Sequence, residues 1–211
     1  SAKFDIIPLF NGKITISSVQ LFGFNINLNK PAPHMEPNFK FVLDAFASKD
    51  TVKTKKDIDL RINSILIRRG KLSYDVLSEE ETPGKFNPQH IKLHNIIANI
   101  SLKALQNDSI NAAIKRLSVD EQSGFELRKL SLKVIANNKG MKIENFAIEM
   151  PGTEMKMDTI RMEYDSLKAL NHFADNVRFS FRTLPSHVTL NDISAFVPAL
   201  SNFKEKLDLN I

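Results

Sequence analysis

The chain has 211 residues, a net charge of +5 and no cysteine. This length suits one large β domain, and the lack of cysteine excludes a disulfide scaffold and thiol chemistry. The longest apolar runs are too short to cross a bilayer as a helix, and the mild basic excess favours anionic surfaces without defining a partner.

One apolar pattern, Φ-x-Φ-x-x-Φ-x-Φ, recurs along the chain, where Φ is apolar and x is mostly polar. The copies are Ile14-Ile16/Val19-Leu21, Leu60-Ile62/Ile65-Ile67, Ile91-Leu93/Ile96-Ala98, Ala112-Ile114/Leu117-Val119, Phe125-Leu127/Leu130-Leu132, Met141-Ile143/Phe146-Ile148 and Met155-Met157/Ile160-Met162. Each half predicts a half-buried strand, because alternate side chains of a strand point to opposite faces. A β-bulge at the central two-residue step would return both apolar pairs to one face and bend the strand. We therefore predict a curved sheet with an apolar concave face.

The connections between the motif strands predict antiparallel neighbours. Residues 13–30 are predicted as a hairpin that turns near Phe22-Gly23. Residues 57–77 are predicted as a second hairpin that turns at Arg69-Gly70, because glycine tolerates positive φ. Between residues 89 and 161, five motif strands follow one another through short turns, which predicts an antiparallel meander.

Three short helices are predicted beside the sheet, from apolar residues at helical spacing after residues that can cap a helix. Their apolar residues are Phe39, Val42, Leu43 and Phe46 after Asn38; Leu167, Leu170, Phe173 and Ala174 after Asp165 or Ser166; and Ile193, Phe196, Val197 and Leu200 after Asn191 or Asp192. Pro198 is expected to kink or shorten the last of them. The predicted fold is mainly β: one taco-like or groove-like curved antiparallel sheet with bulged strands and about three short helices, in a single domain over residues 1–211.

The sequence carries no recognisable catalytic, cofactor-binding or metal-binding motif. It has no G-x-S-x-G, no glycine-rich phosphate loop and no H-E-x-x-H, so we expect a protein without enzymatic activity or cofactor. His90 and His94 alternate with apolar residues as in a strand, which places both on the polar face without a third ligand and predicts no metal site.

Basic residues are scattered and are not interleaved with aromatic residues, which argues against nucleic-acid binding. The pairs Arg68-Arg69, Lys115-Arg116 and Arg128-Lys129 stand at predicted turns and bulges. If the bulges align across the sheet, these pairs would form a basic stripe able to meet anionic headgroups. The alternative is ordinary solvated charge.

Four segments together resemble the TamB/AsmA-like family (translocation and assembly module) in the form found in Bacteroidota. They are VQLFGFNINLNK, PNFKFVLDAFAS, IDLRINSILIRRGKLSYDV and DISAFVPAL, and the resemblance covers about residues 19–203. Members of this family are β-rich, taco-shaped proteins of the Gram-negative envelope, anchored in the inner membrane by an N-terminal helix. The resemblance implies an N-proximal periplasmic fragment of such a body, without the anchor helix that makes the membrane contact and without the C-terminal domain.

The resemblance also implies a function: an apolar groove that binds phospholipid acyl chains and conducts them between the inner and outer membranes. The predicted groove residues are Leu60, Ile62, Ile65, Ile67, Ile91, Leu93, Ile96, Phe125, Leu127, Leu130, Leu132, Met141, Ile143, Phe146, Ile148, Met155, Met157, Ile160 and Met162. Two alternatives stay open. Strand edges could pair with outer-membrane β-barrel proteins during their assembly, or the apolar face could be an ordinary filled core in which the methionines fill gaps.

Overall fold

The computed structural model places twelve strands in one open, curved sheet of mixed strand direction. It describes residues 2–10, 13–41, 44, 59–106, 109–166 and 173–209, with the backbone alone for 2–10, 13, 173 and 174. The strands are β1 (Ala2–Phe10), β2 (Lys13–Phe22), β3 (Asn25–Lys30), β4 (Asp59–Val76), β5 (His90–Gln106), β6 (Ser109–Glu121), β7 (Glu126–Asn137), β8 (Gly140–Glu149), β9 (Glu154–Glu163), β10 (Arg178–Thr183), β11 (Ser186–Thr189) and β12 (Lys206–Leu209).

The strand order across the sheet is β1-β2-β4-β5-β6-β7-β8-β9-β11-β12, with β3 paired to β4 and β10 paired to β9. Strands β5 to β9 form the predicted antiparallel meander, and that prediction is confirmed. Strand β4 also runs antiparallel to β5. Strands β2 and β3 run parallel to β4 instead. The prediction of a wholly antiparallel sheet is therefore wrong at this side of the sheet.

Both predicted N-terminal hairpins are wrong, because the chain does not reverse direction at either predicted turn. Strands β2 and β3 lie end to end along β4, joined by a kink at Gly23, which has a φ of 58° and donates its N–H to the Arg68 carbonyl at 2.9 Å. Strand β4 runs unbroken for 18 residues through Arg69 and Gly70. Gly70 is buried, and a Cβ there would lie 2.5 Å from the Phe24 ring. Its glycine serves a close approach of that ring and not a turn.

The predicted bulges are confirmed, because each two-residue step of the motif coincides with a shift in strand register. In β4, for example, Ile62 to Ile65 spans three residues where the partner strand advances by two, from Leu102 to Ile100. Asn145, in the step of β8, has a φ of 53°, a left-handed conformation that asparagine adopts more readily than most residues. The bulges return the two halves of each motif to one face.

The prediction of about three short helices is wrong for the described residues. Where the third was expected, the chain forms two 3₁₀ turns, Leu190–Ile193 and Pro198–Leu200, and Asp192 accepts the Gly152 N–H instead of capping a helix. Only the single turn Phe173–Asn176 of the second lies within the described ranges. Most of the first, including Val42, Leu43 and Phe46, lies outside them.

The sheet is a single layer in the part of the chain that the structure describes. No large side chain there is less than 2% exposed, and the few buried apolar residues include Val76, Ala98 and Leu127. A β-sandwich or a sheet covered by helices would bury a whole face of side chains. Here most apolar side chains of the sheet are only half-buried.

Candidate functional site: an open apolar face

Apolar residues on one side of the sheet line up in register across the strands. Residues paired on adjacent strands have their side chains on the same face, so the pairings define four rows, which together we call the apolar face. The rows are Ile14, Leu60, Leu105, Ile110, Ala136, Met141, Met162 and Phe179; Ile16, Ile62, Leu102, Ala112, Val134, Ile143, Ile160 and Phe181; Val19, Ile65, Ile100, Ile114 and Leu132, with Phe146 and Met157 paired beyond; and Leu21, Ile67, Ala98, Leu117, Leu130, Ile148 and Met155.

The apolar face is long as well as continuous. Each step between neighbouring strands is about 4.8 Å, so the second row spans roughly 34 Å from β2 to β10. The rows follow one another along each strand, and the bulge of the motif separates the second row from the third. The face is therefore wide enough and long enough to hold an extended hydrocarbon chain, since one leaflet of a bilayer's hydrocarbon core is about 15 Å thick.

Most of the predicted groove residues lie in these four rows. Ile96 and Leu127 are buried, and the other residues of the predicted set are half-buried. Ile91 and Leu93 lie beyond the fourth row, paired with Tyr74 and Leu72 of β4. Phe125 precedes β7 and packs at the end of the strands, so it belongs to the rim of the face and not to a row.

Several residues of the apolar face were not among the predicted groove residues. They are the β2 residues, Ala98 of β5, four β6 residues, the ends of β5 and β7 that continue beyond the motif, and two phenylalanines of β10: Ile14, Ile16, Val19, Leu21, Ala98, Ile100, Leu102, Leu105, Ile110, Ala112, Ile114, Leu117, Val134, Ala136, Phe179 and Phe181. Plain alternation past the ends of each motif was the sequence signal for the β5 and β7 residues. Nothing in the sequence showed that β10 would extend the same rows.

One rim of the apolar face is covered by the segment that contains the 3₁₀ turns. The Phe196 ring lies 4.7 Å from the Phe86 ring and 4.9 Å from the Phe125 ring, measured between centroids. The Phe86 N–H donates to the Ala195 carbonyl at 3.1 Å, and the Gly152 N–H donates to the Asp192 carboxylate at 3.0 Å. This segment is therefore fixed to the strand ends. Phe196 itself stays 44% exposed.

The opposite side of the sheet carries the charged residues, and the predicted basic stripe forms only in part. Arg128 pairs with Glu126 at 2.7 Å, and Lys129 pairs with Glu149 at 2.7 Å. Arg68, Arg69 and Arg116 all line one cavity on this polar face. Within the described ranges, no carboxylate forms an ion pair with any of those three arginines.

Three potential metal ligands lie close together and form hydrogen bonds with one another or with neighbouring residues of the chain. Single ligand atoms of Asp75, Glu81 and His90 all lie within 4.8 Å of one another. His90 is buried; its Nδ1 lies 3.0 Å from the Asp75 carboxylate and its Nε2 lies 2.9 Å from the Glu79 carbonyl oxygen. Lys92 donates to Glu81 at 2.7 Å. Both partners of the His90 ring are acceptors, so the surroundings of the ring favour its doubly protonated form, in which both ring nitrogens donate.

This cluster predicts a pH dependence of stability. The hydrogen bond to Asp75 is the largest contribution and raises the pKa of His90 above its ordinary value; burial opposes it, and the Glu79 carbonyl adds a further, smaller increase. Because the pKa of His90 is higher in the folded state, its protonation stabilises the folded protein. This stabilisation is complete below the pKa of the unfolded state, about 6.5, and is lost as the pH rises through the pKa of the folded state.

We expect the urea concentration at the unfolding midpoint of the wild type to decrease as the pH is raised from about 6 to about 9. His90→Gln is expected to lower the midpoint at pH 6 and to flatten this dependence, whereas His34→Gln at an exposed position leaves it unchanged. Equal slopes for the wild type and His90→Gln would show that His90 does not carry the effect.

No protein-family model matches the chain, and neither a curated protein nor a solved structure matches it. None of the helices in the described ranges is long and apolar enough to span a membrane. The resemblance drawn from the sequence therefore stays a prediction, and the apolar face is the feature of the structure that bears on function.

Proposed function

We propose that the apolar face binds the acyl chains of phospholipids and lets them move along its rows, without an enzymatic step. The observation that carries this proposal is the run of half-buried apolar side chains in register from β2 to β10, on which no described element is layered. In soluble proteins, a water-exposed apolar surface of this extent marks an interaction site. Its length along the rows suits a long, thin apolar partner.

The driving force on this proposal is the removal of methylenes from water. Each buried CH₂ contributes about 0.8 kcal/mol, and the contribution does not depend on a specific contact. Leu, Ile, Met and Phe side chains along a row give similar surroundings at each step, so a chain can shift along the row at little cost. We therefore expect little selectivity between lipids with different acyl chains.

The place of action follows from the family resemblance and belongs to the same proposal. A chain of this kind is proposed to work in the periplasm of a Gram-negative envelope, where phospholipids must pass between the inner and outer membranes. The methionines of β8 and β9 suit such a cargo, because a flexible and polarisable side chain adapts to acyl chains of different shape. Met141 and Met162 face each other in the first row, and Met155 lies in the fourth.

The test is to identify what the purified protein carries. Native mass spectrometry of the chain after mild purification is expected to show adducts with phospholipid masses, and solvent extraction followed by lipid analysis is expected to show a mixture of phospholipids. A folded protein free of lipid, which also fails to take up phospholipid from added vesicles, would overturn the proposal and favour a filled core.

Strand-edge pairing with outer-membrane β-barrel proteins is the second candidate. It is favoured by the open sheet, in which β1 and β12 are outermost among the described strands. Two features oppose it: Pro8 removes a hydrogen-bond donor from β1, and β12 carries the charges of Lys206 and Asp208, both of which protect an edge from pairing. Leu207→Pro in β12 is expected to leave phospholipid binding intact, so a loss of barrel binding in that variant alone would support the second candidate.

A further inference from the structure

A cavity of about 610 Å³ lies on the polar face, and Ile67 and Ala98 of the fourth row are among the residues that line it. We call it the arginine cavity, because Arg68, Arg69 and Arg116 line it. Its volume falls within the range of small-molecule sites, which runs from about 300 to 1,000 Å³.

The bulge in β4 brings two consecutive arginines to one cavity. In a regular strand Arg68 and Arg69 would point to opposite faces. Arg69 instead has a φ of 54°, and both side chains are exposed and line the cavity. Arginine has no local hydrogen bond that eases this conformation, unlike the asparagines at the other two positive-φ bulge positions. Strain of this kind is typical of binding sites.

The cavity also has an apolar floor. Leu66, Asn99 and Arg116 pair with one another across β4, β5 and β6, so their side chains share the polar face. Ile97, in the next strand position on that face, is 36% exposed and lines the cavity with Leu66. Phe22, which pairs with Arg68, lines the cavity as well, so the lining combines apolar side chains with cationic ones.

Like Arg161, Arg178 and Arg182 in the described strands, the three arginines lack the carboxylate partners that Arg61 and Arg128 have. Arg61 is bound by Asp59 at 3.0 Å and Arg128 by Glu126 at 2.7 Å. No acidic side chain in the described ranges pairs with Arg68, Arg69 or Arg116. Their guanidinium groups are therefore available to an external anion, and the planar fork of a guanidinium matches phosphate oxygens in pairs.

We propose that the arginine cavity binds the phosphate group of an anionic amphiphile, a phospholipid headgroup with the first part of its apolar body on Leu66 and Ile97. Three unpaired guanidinium groups recognise the phosphate, and the apolar floor distinguishes such a molecule from inorganic phosphate. A concave site of this size accepts one molecule, which favours an amphiphile over an extended acidic peptide. The three arginines lie outside the rows of the apolar face, which the cavity borders at Ile67 and Ala98.

The experiment measures the binding of dihexanoyl phosphatidylglycerol, below its micelle concentration, and of inorganic phosphate by isothermal titration calorimetry. We compare the wild type with the R68Q/R69Q/R116Q variant and with a matched control, R61Q/R128Q/K129Q, which removes the same three charges from paired positions. Each charge-assisted contact is worth at least about ten-fold in affinity, so the cavity variant is expected to lose at least that factor. The control is expected to stay within about three-fold of the wild type.

A single substitution separates binding from folding. Arg69→Asn replaces the strained residue with one that tolerates positive φ, so it is expected to raise the urea midpoint while it weakens lipid binding. A residue with only a structural role would not change the two quantities in opposite directions.

Three outcomes would overturn the proposal. An equal loss in the cavity variant and the control would mean that binding reports net charge alone. Inorganic phosphate binding as tightly as the lipid would mean that the apolar floor has no part. Arginine-dependent binding of an oligoglutamate peptide, with no binding of the lipid, would assign the cavity to an acidic protein segment.

Discussion

Aspartate in place of Ile143 is expected to leave the sheet folded and to remove most of the phospholipid that purifies with the protein. Ile143 pairs with Val134 and Ile160 in the second row, and it is half-buried, so an unliganded carboxylate there can reach water. An acyl chain on the row would exclude that water, at a cost of at least about 2 kcal/mol. This corresponds to a loss of about 30-fold in affinity. The measurement is phospholipid per protein, by extraction and mass spectrometry.

Ser131→Asp is the matched control for this prediction. Ser131 is also half-buried in mid-strand, but it pairs with Ala147 on the polar face, so it adds the same charge without touching a row. Phe146→Asp repeats the experiment beside Met157 in the third row. Circular dichroism and the urea midpoint establish that each variant is folded. Wild-type lipid content in a folded Ile143→Asp protein would contradict binding on the apolar face.

The bulged strands could be predicted from the sequence because the signal is local. A change of phase such as Glu144-Asn145 leaves a strand only one way to keep both apolar pairs on one face. The steps in β2 and β4 face each other, since Ile16 pairs with Ile62 and Val19 with Ile65. Short turns then fixed the neighbours of the meander, because a connection of a few residues can only join antiparallel strands.

The order and direction of the N-terminal strands depend on contacts that no local pattern encodes. A kink and a hairpin turn at Gly23 cannot be told apart in the sequence, because both use a glycine that adopts positive φ. What separates them is the partner strand, and β4 lies after a segment of about thirty residues. The prediction of the third helix was wrong because of another distant contact. The Asp192 carboxylate accepts a hydrogen bond from Gly152 in the β8–β9 connection, and Pro198 interrupts the helical spacing.

The sequence predicted which residues are apolar on one side of the strands better than it predicted whether that side is covered or open. The motif copies contain most residues of the apolar face, although fewer than half of them were predicted as groove residues. Alternation is the same in a covered sheet and in an open one. Whether a second layer lies on the face is a property of the whole topology. Here β10 returns to the edge of β9 and widens the same face with Phe179 and Phe181, where a sandwich would have folded it across.

Gly70→Ala is expected to destabilise the protein by about 1–3 kcal/mol, because the new methyl group would overlap the Phe24 ring. The ring atoms Cε1 and Cζ lie 2.5 Å from the position of that methyl. Gly70 is not one of the glycines with a positive φ, so its backbone conformation accepts alanine. The cost therefore comes from the ring, which must leave its place at the junction of β2, β3 and β4.

A double-mutant cycle isolates this contact. In a Phe24→Ala background the ring is absent, so Gly70→Ala is expected to cost nothing measurable or to stabilise the protein slightly, since alanine restricts the unfolded chain. Gly84→Ala is the control: its φ is 72° with nothing within 4 Å, so its cost should be the same in both backgrounds. Free energies of unfolding from urea titrations give all the values. An unchanged cost of Gly70→Ala without the Phe24 ring would mean that Arg69-Gly70 is strained by the backbone alone, and that the packing of Phe24 does not explain why β4 runs straight through a sequence typical of a turn.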